Sequence, residues 1–230
     1  MYKEKTFLAI IPARGGSKGI PNKNIVQVNG KPLIEYTFDE VKKSKYLDRV
    51  IVSTDSEKIK NVAIDNNIEV PFLRPANLAA DTSKTIDSII YTLENLQSSK
   101  QTYDYIVILQ PTQPLRRHWH IDEAIEKIIN TNEESLVSVS EVNEHPILMR
   151  TLTKEGILER LLDTGSTVRR QDFSKVYKVN GAIYINKNNI NYTVNSSLND
   201  NKSAYIMAKE YDIDIDDLFD LNVFSLRLKD

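Results

Sequence analysis

The sequence predicts an α/β fold with a mostly parallel central sheet flanked by helices. Two observations carry this prediction. Short apolar runs typical of buried strands alternate along the chain with longer segments in which apolar residues recur at helical spacing. The segments that directly follow the first three of these runs carry polar or glycine residues, as expected where ligands bind beyond the carboxyl ends of parallel strands.

Each predicted element follows from a local pattern. Short, continuous apolar runs predict strands over residues 7–11, 49–53, 105–109, 136–139, 181–185 and 205–207. One-sided apolar spacing predicts helices over residues 32–43, 57–66, 83–96 and 121–129, and over the last dozen residues. The segment Thr54-Asp55-Ser56 is typical of a helix cap, and His118 is expected to lie near the start of another helix.

The bulk composition indicates one domain over residues 1–230, with the irregular, charged residues 141–178 as an inserted arm. A net charge of −2 argues against general nucleic-acid binding. The lack of cysteine excludes disulfides and thiol catalysis and is compatible with a cytoplasmic protein. The five-residue apolar run near the N-terminus is too short for a signal peptide or a membrane span.

The loop after the first predicted strand is the strongest chemical signal. Residues 12–19 contain three glycines together with Arg14 and Lys18, and Lys23 follows closely. Glycines let backbone N–H groups approach a ligand, and the cations suit a polyphosphate. The loop matches neither the P-loop nor the dinucleotide fingerprint. It predicts a nucleotide phosphate site, the alternative being a tight connection with solvated lysines.

Alternating acids near the C-terminus predict a metal site. In a strand over residues 212–216, Asp212, Asp214 and Asp216 would share one face and the two isoleucines the other. Mg²⁺ is bound by one or two protein carboxylates plus substrate phosphates. The alternatives are a polar edge strand with a solvated face, or acids at the start of a helix.

Three weaker signals remain. Gln110, at a predicted strand end in a loop held extended by two prolines, can bind a sugar or a base edge, or lie in a plain connector. Arg169 and Arg170 suit a carboxylate or phosphate, although a surface arginine pair explains them as well. The three histidines have no metal-ligand spacing and are expected to be structural or exposed.

Four segments in order carry a family resemblance: IPARGGSKG at 11–19, QPTQPLR at 110–116, NGAIY at 180–184 and IDID at 213–216. Together they closely resemble the N-acylneuraminate cytidylyltransferases, also called CMP-sialic acid synthetases, over about residues 6 to 224. The resemblance implies a Rossmann-like nucleotidyltransferase fold with a small arm that forms a homodimer. It implies that CTP and a nonulosonic acid react, with Mg²⁺, to give a CMP-sugar and pyrophosphate in sialic acid biosynthesis.

The resemblance also implies roles for single residues. Those expected to bind nucleotide or sugar are Ala13, Arg14, Gly15, Gly16, Ser17, Lys18, Lys23, Asn24, Arg74, Thr85, Gln110, Arg170 and Asn180. Within this set, the basic side chains of the first loop would hold the triphosphate, Arg74 and Thr85 the cytidine part, Gln110 the sugar acid and Arg170 its carboxylate. Asp214 and Asp216 would bind Mg²⁺, and the residues expected to act in catalysis are Arg14, Lys23 and Asp214.

Two departures leave the sugar open. Some members carry adjacent aromatic residues where this chain has residues 195–199, which are polar apart from one leucine, and Asp212 precedes the usual acid pair. N-acetylneuraminate is the favoured sugar, with legionaminic or pseudaminic acid as alternatives. Two readings from other classes are a non-catalytic nucleotide-binding protein of this fold and an interaction protein whose basic loop is merely surface.

Overall fold

The computed structural model describes residues 1–80, 82–98, 100–163, 169, 172–188 and 192–229. Its strands are β1 Phe7–Pro12, β2 Gln27–Val28, β3 Lys31–Pro32, β4 Arg49–Ser53, β5 Tyr105–Ile108, β6 Ser135–Glu141, β7 Arg150–Leu152, β8 Leu158–Arg160, β9 Tyr177–Lys187 and β10 Ser203–Met207. Its α-helices are α1 Leu33–Val41, α2 Glu57–Asp65, α3 Thr85–Ser98, α4 His118–Asn130 and α5 Leu218–Arg227. Within these ranges, none of the helices is long and apolar enough to cross a membrane.

The central sheet has six strands in the order β10-β6-β9-β5-β1-β4. β1 pairs in parallel with β4 and β5, and β6 pairs in parallel with β10, whereas β9 runs antiparallel to β5 and β6. The sheet is therefore mostly parallel, as predicted, and the parallel strands end at one side, here called the carboxyl edge. β9 begins at this edge, because Tyr177 pairs with Glu141 at the end of β6.

Helices cover both faces of the sheet, which explains why β1 is a continuous apolar run. Phe7, Ala9 and Ile11 pack in one cluster with side chains of α1, α2 and α4. Leu8 and Ile10 point the other way and pack in a second cluster with side chains of α3. A strand that is buried on both faces has no polar side to alternate with the apolar one.

A third, smaller apolar cluster lies beside the carboxyl edge. It joins Ile20 of the first loop to Ile213 and Ile215 of the segment before α5, and to Phe224 of α5 itself. All four side chains are buried. Hydrophobic packing therefore holds the N-terminal loop against a segment near the other end of the chain.

The predicted arm, residues 141–178, contains the hairpin of β7 and β8, which forms its own two-stranded sheet. Large apolar side chains in and beside this hairpin are exposed: Leu148, Met149, Leu152, Ile157, Leu158, Leu161 and Leu162. A concentration of exposed apolar side chains of this kind marks a surface suited to contact with another protein. The function of the arm in a dimer stays a prediction.

His120, near the start of α4, is buried and its ring packs 4.6 Å from the ring of Tyr211. Its Nδ1 accepts a hydrogen bond from the Arg117 N–H at 3.0 Å. Burial, with the nearby charges of Arg116 and Arg117, lowers the pKa of His120 to about 4. The folded protein therefore holds this imidazole neutral where the unfolded chain would protonate it.

We expect the free energy of unfolding to fall as the pH drops from about 6.5, the ordinary pKa of histidine, toward about 4. In this range the unfolded chain binds a proton on His120 that the folded chain does not, which costs roughly 3 kcal/mol at the acid end. His120→Asn keeps an acceptor for the Arg117 N–H but cannot titrate. Urea unfolding at about pH 7 and pH 4.5 should show a smaller acid loss in this variant; equal losses would contradict the assignment.

Candidate functional site

A cleft of about 390 Å³ opens at the carboxyl edge of the sheet and is called here the first chamber. The loop after β1, the loop after β5, the region leading into α3 and the segment before α5 form its walls. Most of the residues predicted from the sequence line it. The lining residues are Pro12, Arg14, Gly16, Ser17, Lys23, Asn24, Arg74, Leu78, Ala80, Ser83, Lys84, Thr85, Ser88, Gln110, Pro111, Thr112, Asp214 and Asp216.

Two of the predicted loop residues support the loop from behind. Ala13 is buried, and its N–H donates to the Ser53 carbonyl at 3.0 Å, which extends the pairing of β1 with β4. The Gly15 N–H donates to Oδ1 of Asp55 at 3.0 Å. These bonds support the turn of the chain after β1, and Gly16 and Ser17, which follow it, line the first chamber.

Lys23 joins the loop to the acidic segment. Its Nζ donates to the Ile215 carbonyl at 2.7 Å and lies 3.1 Å from a carboxylate oxygen of Asp216, 193 residues away in sequence. The Lys23 side chain is 14% exposed and that of Asp216 is 78% exposed, so the ammonium lies in the wall and the carboxylate faces open space. Lys18 is exposed and does not line the first chamber.

Gly19 approaches the acidic segment so closely that no side chain fits. A Cβ at this position would overlap the backbone carbonyl oxygen of Asp216. Because the obstacle is backbone rather than a flexible side chain, the acidic segment would have to move to make room. This contact between the loop after β1 and the acidic segment near the C-terminus therefore explains the third glycine of the loop.

Residues 212–216 belong to no strand, so the strand in which the three acids would share one face is not formed. The Ile215 N–H instead donates to the Thr112 carbonyl in the loop after β5, at 2.9 Å. Ile213 and Ile215 are buried in the third apolar cluster, which holds the segment beside that loop instead of at the edge of a sheet. Buried and accessible side chains nevertheless alternate along the segment, with Ile213 and Ile215 buried and Asp214 and Asp216 exposed.

The alternating acids do not share one site. Asp214 and Asp216 line the first chamber, whereas Asp212 forms an ion pair with Lys178 at 3.1 Å and lies outside its lining. Burial against the cleft wall raises the pKa of the Asp214 carboxyl, and the nearby charge of Asp216 adds to this effect. A hydrogen bond with Thr112 opposes the rise without cancelling it.

These two carboxylates fit a divalent cation that also takes ligands from a substrate. Among the described residues there is no group of three or more His, Cys, Asp or Glu side chains that could hold a metal ion by itself. Mg²⁺ in phosphate-transfer sites commonly uses one or two carboxylates and completes its shell with phosphate oxygens and water. A cation held by Asp214 and Asp216 would also relieve the repulsion that raises the pKa of Asp214.

The next two acids belong to the start of α5. The Asp217 carboxylate accepts hydrogen bonds from the N–H groups of Phe219 and Asp220, at 2.8 and 3.0 Å. The Asp220 carboxylate accepts from the N–H groups of Asp216 and Asp217, at 2.9 and 3.1 Å. This reciprocal capping fixes the backbone of Asp216 where its side chain enters the first chamber.

Arg14 and Asn24 connect the loop after β1 to the opposite wall. The Asn24 amide donates to the Arg14 carbonyl at 2.9 Å, and the Arg14 guanidinium donates to the Ala80 carbonyl at 3.0 Å. Arg14 thus reaches across the first chamber toward the segment that precedes α3. Its guanidinium is placed to meet an anion bound against the loop.

Arg74 is a buried cation in the chamber wall, only 6% exposed. A terminal guanidinium nitrogen lies 3.9 Å from Asp55, and its Nε has no hydrogen-bond partner among the described residues. Burial lowers the pKa of Arg74, and the charge of Arg14 adds to this while Asp55 opposes it. A buried cation that is so loosely compensated favours an anionic or hydrogen-bond-accepting ligand.

Gln110 enters the first chamber just beyond β5. Gly181 of β9 lies behind it with φ +76°, and a Cβ there would come 2.6 Å from Oε1 of Gln110. Glycine is favoured at this position because L side chains rarely adopt this backbone conformation, and a Cβ there would also push the Gln110 amide aside. The backbone conformation therefore explains the glycine of the Asn-Gly motif.

Asn180 is buried and does not line the first chamber. Its Oδ1 accepts from the Ser138 hydroxyl at 2.6 Å and from the Ala182 N–H at 3.1 Å, and its Nδ2 donates to the Ser140 hydroxyl at 2.9 Å. These bonds hold the register shift between β6 and β9. The placement favours a supporting role for Asn180 over the predicted ligand contact.

Sequence patterns assigned no role to Arg116, yet it is fully buried and supports the site. Its guanidinium donates to the carbonyls of Gln110 and Ala182, at 3.1 and 2.8 Å, and to the Thr37 hydroxyl at 2.8 Å. Burial lowers the pKa of Arg116 to about 9, opposed by the charge of Glu40. The arginine thus ties the loop after β5 to β9 and α1, which its place in the proline-containing motif could have suggested.

A second cavity of about 390 Å³, here called the second chamber, adjoins the first and shares Lys84, Thr85 and Gln110 with it. No sequence motif pointed to Lys84. Arg170, predicted to meet a sugar carboxylate, lies outside the described residues. The remaining lining residues of the second chamber are Ile86, Tyr184, Asn195, Ser196, Ser197, Leu198 and Asn199.

Comparison with known protein families matches almost the whole chain to one family. A family model described as cytidylyltransferase matches residues 8–222. The chain is 36% identical over 211 residues to the N-acylneuraminate cytidylyltransferase of Streptococcus agalactiae, covering 91% of this chain and 50% of that protein. The chain therefore spans about half the length of this relative.

Two further relatives are matched over most of their own length. The CMP-N,N'-diacetyllegionaminic acid synthase of Legionella pneumophila is 37% identical over 78% of this chain and 77% of that protein. The pseudaminic acid cytidylyltransferase of Campylobacter jejuni is 32% identical over 96% of each. A solved CMP:2-keto-3-deoxy-manno-octonic acid synthetase, complexed with CTP, shares the fold with a TM-score of 0.72 and 14% identity, covering 97% of this chain and 98% of that one.

Gly19→Ala is expected to lower the free energy of unfolding by about 1–3 kcal/mol, because its methyl group would overlap the Asp216 backbone. Gly16→Ala is the matched control, since a Cβ at Gly16 has no neighbour within 4 Å among the described residues. Thermal or urea unfolding of both variants measures the difference. If both lose the same stability, the contact between the loop and the acidic segment is not the cause.

Proposed function

The chain belongs to the cytidylyltransferase family, and from this premise we propose that it transfers the cytidylyl group of CTP to a nonulosonic acid. The observation that carries the proposal is the contrast between two adjoining chambers. The first combines the cations Arg14, Lys23 and Arg74 with two carboxylates, which suits a nucleoside triphosphate and its metal. The second is lined mainly by neutral hydrogen-bonding side chains, which suit a sugar.

We propose N-acetylneuraminate as the acceptor, with legionaminic and pseudaminic acids as the alternatives. Relatives named for N-acylneuraminate, N,N'-diacetyllegionaminic acid and pseudaminic acid are 36%, 37% and 32% identical to the chain. The near equality of these values makes the sugar a question for the second chamber rather than for overall similarity. Residues 195–199, which line that chamber, are polar apart from one leucine, whereas some sialic acid enzymes are expected to carry a pair of aromatic residues there.

In the proposed complex, the triphosphate lies against the loop after β1. Arg14 and Lys23 offset its charge, and the backbone at Gly16 and Ser17 offers close approach. The cytidine part lies toward Arg74 and Thr85. This orientation places the α-phosphate between the acid pair and Gln110, where the two chambers meet.

Asp214 and Asp216 would hold Mg²⁺ together with phosphate oxygens. When bound, the ion would neutralise phosphate charge and polarise the α-phosphate toward attack. Lys23 contacts both the Ile215 carbonyl and the Asp216 carboxylate, so it keeps the acid pair in place before the ligands arrive. The same ammonium can then turn toward the charge that builds on the departing phosphates.

The chemical step is an in-line displacement. The anomeric oxygen of the sugar forms a bond to the α-phosphorus as its hydroxyl proton passes to water, and the bond from that phosphorus to the bridging oxygen breaks to release pyrophosphate. Gln110, seated on Gly181 and Arg116, orients the sugar for this attack. The cations of the first chamber stabilise the pyrophosphate that leaves.

We further propose that the protein acts as a homodimer in the cytoplasm. The exposed apolar side chains of the β7–β8 hairpin, among them Leu152 and Leu158, supply a surface that a second copy could cover. The cytoplasmic location is proposed because the substrate CTP is made and used inside the cell.

The first test supplies purified protein with CTP, Mg²⁺ and one sugar acid at a time, and measures pyrophosphate release. We expect turnover with N-acetylneuraminate, and the ratio of kcat/KM values among the sugars identifies the acceptor. Faster turnover with legionaminic or pseudaminic acid replaces the proposed sugar but keeps the reaction. No release with any nonulosonic acid, together with intact CTP binding, would favour a non-catalytic nucleotide-binding protein.

Asp216→Ala should lower kcat by at least about 100-fold while weakening CTP binding much less, because its carboxylate is proposed to act with the metal at the reacting phosphate. Asp212→Asn is the matched control from the same alternating segment, as Asp212 pairs with Lys178 outside the first chamber. Steady-state kinetics and calorimetric titration with CTP measure the two effects. Equal losses of turnover in both variants would contradict the assignment.

A further inference from the structure

The charge of the second chamber is unusual because it comes from a single residue. Among the described residues that line it, Lys84 alone is charged, and the others are neutral groups such as Gln110, Tyr184 and Asn199. Burial and the nearby charge of Asp214 raise the pKa of Tyr184 to about 12, so its hydroxyl is also neutral at physiological pH. The Tyr184 hydroxyl donates to Oδ1 of Asn199 at 3.0 Å, which orders the chamber wall.

Lys84 differs from two other cations of the adjoining first chamber in what it contacts. Lys23 lies 3.1 Å from the Asp216 carboxylate, and Arg74 lies 3.9 Å from that of Asp55. The Nζ of Lys84 donates to a neutral group, the Val194 carbonyl, at 2.8 Å. No carboxylate of the described residues lies within ion-pair distance of it, and its side chain is exposed, so an anionic ligand can reach the ammonium directly.

The position of Lys84 is as specific as its charge. It precedes Thr85, the first residue of α3, and its backbone N–H donates to the Asp87 carboxylate at 3.1 Å, which fixes the start of the helix. Lys84, Thr85 and Gln110 form the boundary that the two chambers share. An anionic group held by Lys84 would therefore lie beside the place where the sugar meets the α-phosphate.

We propose that Lys84 anchors the carboxylate of the acceptor sugar at the boundary between the chambers, an inference that rests on the proposed function. A single accessible cation among neutral hydrogen-bonding groups of the described lining matches a ligand with one negative charge and several hydroxyl or amide groups. A nonulosonic acid has this composition, because its carboxylate is attached to the anomeric carbon and the rest of the molecule is neutral. Binding the carboxylate at Lys84 places the anomeric hydroxyl next to Gln110 and the first chamber.

The segment that carries Val194 also gains a role from this assignment. Lys84 holds it through the Val194 carbonyl, and the next residues of the chain, 195–199, complete the wall of the second chamber. The Lys84 ammonium thus connects carboxylate binding to residues 195–199, which would face the rest of the sugar. Residues 195–199 become the specificity-determining segment for the substituents of that sugar.

The test compares Lys84→Met with Lys84→Arg and with Lys58→Met, a control lysine that is exposed on α2. Loss of a charge-assisted hydrogen bond predicts a KM for the sugar acid that rises about 10–100-fold in Lys84→Met. The KM for CTP and the melting temperature should stay within experimental error of wild type. Lys84→Arg should recover most of the loss, and Lys58→Met should show none.

A second substrate isolates the carboxylate from any general effect on the chamber. The C1 amide of the sugar acid has the same shape without the charge, so the wild type should prefer the acid and Lys84→Met should treat the two nearly alike. An unchanged sugar KM in Lys84→Met, or a rise in the KM for CTP instead, would overturn the proposal. The proposal would also be overturned if Arg170→Met lost the preference for the acid over the amide while Lys84→Met kept it. Wild-type turnover with a nonulosonic acid is measured first, and its absence would refute the proposed function instead.

Discussion

The contact between the two ends of the chain is the constraint on which the site depends. Gly19 presses against the backbone of Asp216, and Lys23 bonds to the neighbouring Ile215 carbonyl and to the Asp216 carboxylate. Behind these polar contacts, the third apolar cluster packs Ile20 of the loop with the isoleucines of the acidic segment. Basic and acidic groups can face one cavity only because apolar packing holds their backbones together.

The carboxyl edge of the sheet provides the second half of the frame. Because β9 runs antiparallel to β5 and β6, it starts at this edge and passes directly behind the site. Gly181 in β9 leaves room for Gln110, while Arg116 bonds to the carbonyls of Gln110 and Ala182. Residues that bind no ligand therefore decide where the ligand-facing Gln110 lies.

The distribution of charge separates the two halves of the proposed reaction. The first chamber holds several cations and two carboxylates, which is suited to moving charge between phosphates and a metal. The second holds Lys84 as its one charge among described lining residues, which is suited to one anionic group. Gln110 belongs to both, so the reacting atoms are proposed to meet at the point where the electrostatic character of the cleft changes.

The fold class could be predicted from the residues alone, because continuous apolar strands and one-sided helices depend on local periodicity. Motifs at strand ends, together with the family resemblance, also predicted most of the first chamber. Only the tertiary structure separated acids of similar appearance, placing Asp216 in the chamber and Asp212 against Lys178. Likewise it turned Asn180 inward and brought Lys84 to the chamber boundary. Such outcomes depend on neighbours distant in sequence, which no local pattern of residues encodes.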